Sequence, residues 1–161
     1  MRCSPFARDE WDYVARCKRA ALLWDWVSGV PLETIEQRYT PNPFQGRIGH
    51  GDVRKFADAT RYHLRSAHQI ASVMFLGEGP SEEAIEALLR HLEAGLPAEA
   101  LGLLSLPLSL TRGEYLALHA AGISTPEQFW TTTEELLAGV LGAARAAQCV
   151  KLRPERDRGE A

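Results

Sequence analysis

Apolar residues recur at helical spacing through most of the chain, and no stretch shows the two-residue alternation of a half-buried strand. Trp11, Val14, Ala15, Ala21, Leu22 and Val27 predict a first helix over about Glu10 to Val27. Ser28-Gly29 breaks it, and Pro31 opens a short helix to about Tyr39 with Leu32, Ile35 and Tyr39 on one face. Thr40 to Gly51, with its prolines and glycines, reads as an adaptable surface loop and a contact site. Asp52 is expected to cap a long third helix reaching about Leu76. Val53, Phe56, Ala57, Thr60, Leu64, Ala67, Ile70, Ala71 and Met74 make a sustained apolar stripe along it.

Helix signals punctuate the rest. Ser81, followed by Glu82 and Glu83, starts a fourth helix, Ile85, Leu88, Leu89 and Leu92 face inward, and Gly95 ends it. A short helix is expected from Pro97 to Leu104. Thr111 and Glu114 form a capping-box pattern before Tyr115 to Ala121, with Gly122 at its end. Thr125, Pro126 and Gln128 start another short helix, and a last one is expected from about Glu134 to Gln148. The prediction is an all-α bundle of about seven or eight helices, followed by a disordered charged tail over 149–161.

Composition narrows the function. The 161 residues suit one domain or two small ones, and 45% hydrophobic residues support a packed core. The net charge of −3 shows no overall basic excess, so any nucleic-acid contact must come from a local stripe. Cys3, Cys17 and Cys149 form no CxxC pair and fit a reducing compartment. No apolar run is long enough to span a bilayer, and Met1 to Glu10 lacks a signal's apolar core, so a cytoplasmic location is expected. The chain has no GxxxxGK[ST] phosphate loop and no GxSxG, HExxH or GxGxxG motif. His50, His63, His68, His91 and His119 fall into no ligand pattern. No catalytic residue, metal or cofactor is expected.

The third helix is the most informative element. Opposite its apolar stripe lie Arg54, Lys55, Asp58, Arg61, Tyr62, Arg65 and Gln69. Arg54, Asp58, Arg61 and Arg65 line one strip, and Lys55 and Tyr62 stand seven apart, two turns along the helix. A cation and a ring at that spacing suit a single strand, the cation meeting a phosphate and the ring stacking on a base. The same residues also read as a solvated polar face laced by Arg54–Asp58 and Asp58–Arg61 pairs. Trp24 and Trp26, two apart on a helix, point in different directions: one into the core, the other half exposed or against a partner.

The order of Trp26-x-x-Gly29, Ile35-x-x-x-Tyr39 and Gly51-Asp52-Val53 before a long helix resembles the Ski-two-like superfamily 2 helicases, in the branch of archaeal and metazoan DNA-repair helicases and the polymerase-theta helicase. The resemblance spans about Trp24 to Val140 and implies a ratchet helix that crosses the single strand drawn through the motor. Lys55 and Tyr62 stand where the family has arginine and tryptophan; both keep the chemical type, without arginine's fork and with a smaller ring. Gly95-Leu96-Pro97, Leu106-Pro107 and Ala120 to Thr125 resemble the flanks of the family's helix–hairpin–helix. Its Pro-Gly-Ile-Gly hairpin is Pro107-Leu108-Ser109-Leu110 here, without the glycines that let backbone amides approach a phosphate.

The resemblance implies a ratchet-like bundle over 1–104 and a degenerate helix–hairpin–helix-like part over 105–148. It also implies an accessory module that binds single-stranded DNA or RNA through Lys55, Tyr62, Arg54, Arg61 and Arg65, in DNA repair, as a fragment or separate subunit. Motor domains in cis or trans would be its partners and would supply the ATPase. The alternative is a protein-interaction adaptor that keeps the helicase fold without nucleic-acid contact, which the acidic net charge and altered hairpin suggest.

Overall fold

A computed structural model describes residues 10–40, 46–75 and 79–152, and these divide between two compact units, Met1–Gly95 and Leu96–Ala161. The division falls upstream of the boundary expected after Leu104. The described residues are all-helical, with no strand among them. None of their helices is long and apolar enough to cross a membrane.

The first unit contains α1 (Glu10–Val27), α2 (Leu32–Tyr39), α3 (His50–Met74) and α4 (Glu82–Ala94). Leu22, Leu23, Trp26, Ile35, Val53, Ala57 and Leu92 form its core. Trp26 is central and 1% exposed, and its indole N–H donates to the Leu92 carbonyl at 3.0 Å, so its polar edge is satisfied inside the core. Gly95 ends α4 in the left-handed conformation, φ 64°. A Cβ there would meet the Trp26 ring at 2.2 Å, so glycine serves both the backbone turn and the close approach. Asp25 takes Arg38 at 2.6 Å and the Tyr39 hydroxyl at 2.9 Å, tying the end of α2 back to α1.

The start of α3 differs from expectation. The cap position is Gly49, and Asp52 sits three residues inside, where its carboxylate accepts the Gly49 N–H at 3.1 Å. The helix therefore begins at His50, and the acid serves the first turn by reaching backwards.

The apolar stripe is not covered along its whole length. Val53 and Ala57 are buried, and Phe56 and Leu64 pack partly on the core, but Ala67, Ile70 and Met74 are exposed. The register of α1 explains this. Trp26 meets the His50 ring and Arg19 lies over the Phe56 ring, so the two helices run antiparallel. Counting back along α1 from those contacts places Glu10 level with about residue 65 of α3. Beyond that level no described residue of α1 covers the stripe. On α4, Leu89 and Leu92 are buried as expected, whereas Leu88 is exposed.

The second unit starts with a 3-10 segment, Ala98–Ser105, where a short helix was expected. Four helices follow: α5 (Arg112–Ala120), α6 (Pro126–Thr131), α7 (Glu134–Leu141) and α8 (Ala143–Lys151). Thr111 and Glu114 form the reciprocal box at α5, and Thr125 and Gln128 form another at α6. The last predicted helix is in fact two. Gly142 adopts φ 87° and ψ 150°, its N–H closing α7 on Ala138 while its carbonyl accepts the first bond of α8 from Ala146. Leu103, Leu118, Phe129, Leu137, Ala146 and Cys149 are buried in this unit. Of the tail expected to be disordered over 149–161, residues 149–151 instead complete α8, where Cys149 packs into the core, and the part from 153 onward lies outside the described residues.

Candidate nucleic-acid interface

Alternation of buried and exposed positions around α3 places the polar residues. With Val53, Ala57 and Leu64 turned to the core, Lys55 and Tyr62 fall on the far side of the helix. Tyr62 is 71% exposed, and its ring makes an edge contact with His63 at 5.6 Å between centroids. Lys55 and Arg54 are exposed and enter no side-chain hydrogen bond or ion pair among the described residues. Seven residues of rise separate Lys55 from Tyr62 by about 10 Å, roughly three bases at a stacked spacing.

The two later arginines are turned elsewhere. Arg61 is only a quarter exposed and bridges Asp58 at 3.3 Å and Glu93 of α4 at 2.7 Å. Its Nε is buried without a partner. That guanidinium is a clamp between α3 and α4, and drawing it onto a phosphate would cost both bonds. Arg65 meets Glu86 at 3.5 Å with both side chains half in solvent. Such a pair contributes about 0–1 kcal/mol, so Arg65 can exchange its carboxylate for a phosphate with little loss. Asp58 and Arg61 form the pair foreseen in the solvated-face reading; Arg54 does not pair with Asp58. The structure thus brings Lys55, Tyr62 and Arg54 onto open surface, leaves Arg65 within reach of it, and withdraws Arg61. Glu93 as the partner of Arg61 had no signal in the sequence, because it lies 32 residues away on another helix.

In the second unit the stretch Pro107 to Leu110 is held by an arginine. Arg145 of α8 donates to the Ser109 carbonyl and, at 2.8 Å, to Glu114. Burial alone would raise the Glu114 carboxyl, but hydrogen bonds from Thr111 and the Arg145 guanidinium outweigh it and hold the group below the usual carboxylate range. Arg112, at the start of α5, is desolvated enough to be pushed down to about 10.

Of the two tryptophans on α1, Trp26 is the core residue, whereas Trp24 is 72% exposed, further out than the half exposure expected. An open cleft of about 540 Å³ lies between α2 and the approach to α3, bounded by Glu33, Glu36, Gln37, Thr40, Arg47, Ile48 and Gly49. It borders the loop read as a contact site, of which residues 41–45 lie outside the described residues. No three His, Cys, Asp or Glu side chains among the described residues converge as metal ligands. No protein-family model matches this chain.

Proposed function

We propose that this chain is a single-stranded nucleic-acid-binding accessory module of a superfamily 2 helicase, acting beside motor domains in cis or in trans. The observation that carries the reading is the exposed pairing of Lys55 and Tyr62, about two turns apart on the core-distal side of α3. A strand along that side sets a phosphate on the Lys55 ammonium and a base on the Tyr62 ring. Arg54 and Arg65 flank it as further phosphate contacts. Nothing in such a grip reads base edges, so it is tolerant of sequence and sensitive to salt.

Fluorescence anisotropy with labelled single strands across a salt series tests this. Lys55→Glu with Tyr62→Ala abolishes measurable binding at moderate salt, and Lys55→Ala alone lowers the slope of log affinity against log salt by about one. Unchanged affinity in the double variant rejects these positions as the site.

The adaptor reading has its own observation. Arg61 is spent on Glu93 and Asp58, which leaves the face with fewer free cations than the sequence promised. The same titration separates the two: an adaptor binds single strands at no salt concentration.

A further inference from the structure

The strand reading names contacts only as far as Arg65, yet the outward side of α3 runs on. Successive residues turn by about 100°, so Lys55, Tyr62, Ser66, Gln69 and Val73 fall within one narrow sector of the helix. α1 approaches the Phe56 flank through Arg19, and α4 approaches the Arg61 and Arg65 flank through Glu93 and Glu86. Neither helix covers the sector: Lys55, Tyr62, Gln69 and Val73 are exposed and Ser66 is half-buried. Ser66, Gln69 and Val73, with Ile70 and Met74 towards the apolar stripe, line an open groove of about 450 Å³. It begins one turn beyond Tyr62, so the ring stands at its mouth.

The chemistry changes along this track. Up to Arg65 it offers cations and a ring. From Ser66 to Met74 the helix carries no Asp, Glu, Lys or Arg. A phosphate finds no counter-charge there, and no carboxylate on the sector repels a strand. An apolar floor beside a hydroxyl and an amide suits the faces and edges of bases, with their phosphates turned to solvent. The rise from Lys55 to Val73 is about 27 Å, or about eight nucleotides at a stacked spacing. The rise from Lys55 to Arg65 is about 15 Å, or about five.

We infer that a bound single strand lies along the whole outward side of α3, its phosphates gripped up to Arg65 and the bases of its next nucleotides seated in the groove at Ser66, Gln69 and Val73. This footprint rests on the strand reading and adds a length requirement to it. Full affinity needs about eight unpaired nucleotides, and the last three or so bind without releasing counterions.

The test titrates labelled oligothymidylates, from about four to about fourteen nucleotides, into the full chain across a salt series. Affinity rises about tenfold or more between about five and eight nucleotides and then only in proportion to length. The slope of log affinity against log salt is already constant by about five. Val73→Asp weakens the longest oligomer by about fivefold or more and leaves the shortest unchanged. Val73→Lys strengthens the longest and steepens its salt slope by about 0.7. Met74→Asp, turned about 100° from Val73 onto the apolar stripe, is the control with unchanged affinity. Circular dichroism of all three variants stays native. Affinity that levels off by about five nucleotides, with both Val73 variants silent and Lys55→Glu with Tyr62→Ala inactive, overturns the footprint and leaves the strand reading standing. Absence of strand binding at every length overturns both. Sedimentation showing a second copy in the groove, displaced by Val73→Asp, overturns the footprint as well.

Discussion

Phe56 and Met74 stand eighteen residues apart on the same side of α3 and meet different environments: the first packs partly on the core and the second is 67% exposed. The part of α3 up to Arg65 lies between α1 and α4 and carries all of the helix's charged residues, most of them on its outer side. The second half carries none, and the described residues of α1 do not reach along it. Apolar spacing alone treats the two halves alike. The difference shows that a hydrophobic stripe states which face of a helix is apolar, whereas burial depends on another element being present at that height.

The largest effect expected from breaking this contrast is at the anchor of the buried half. Trp26→Ala removes the ring that packs beside His50 and under Gly95, and costs about 3–5 kcal/mol, read as a fall in the urea midpoint of the first unit. A loss below about 1 kcal/mol would mean that the two halves do not differ in packing as described.

Next comes the outward side of the same half. Tyr62→Ala alone weakens single-strand affinity by about 1–3 kcal/mol, the worth of one base–ring stack, with thermal stability unchanged because the ring stands in solvent. Met74→Asp, on the apolar stripe, leaves that affinity untouched, so a parallel loss in both variants would merge the stripe and the outward side into one site.

A smaller effect is expected where the first half is clamped to α4. Arg61→Ala destabilises by about 1 kcal/mol, and Arg65→Ala by less than half of that, because the Arg65–Glu86 pair is longer and more exposed. Denaturant midpoints of equal depth would show that Arg61 is not the clamp.

The smallest change is Met74→Asp. In the free protein it shifts stability by no more than about 0.5 kcal/mol, against a larger loss for Phe56→Asp on the same side of the helix, where a charge would enter the packed end of the stripe. Paired denaturation curves of these two variants measure the asymmetry of α3 directly.

Much of the fold was legible because its signals are short-ranged. Ser81, Thr111, Thr125, Gly95 and Gly122 act on backbone groups within a few residues, so composition at those positions was enough to set helix ends. Gly142 shows where that logic stops. The apolar period runs on through it, and only its positive φ, taken up as α7 and α8 pack together, reveals the break. Asp52 was recognised as serving the helix start, but whether it caps from outside or reaches back from inside rests on one turn of backbone geometry.

The candidate site divides in the same way. Helical spacing placed Lys55 and Tyr62 on a common side, and Arg61 and Arg65 on a neighbouring strip, from the sequence alone. It could not say that Glu93 would claim Arg61 and leave Lys55 and Arg54 without a partner among the described residues, because that depends on how α4 folds back along α3.

Sequence by itself determined that the chain is helical, where most helices start and stop, and which face of each is apolar. Those properties follow from torsional preference and hydrogen bonding among near neighbours. Tertiary structure alone decided which apolar positions are covered, which arginine is neutralised, and that α3 is packed at one end and open at the other. Each of these turns on the relative height and direction of helices far apart in the chain, and no local period encodes that.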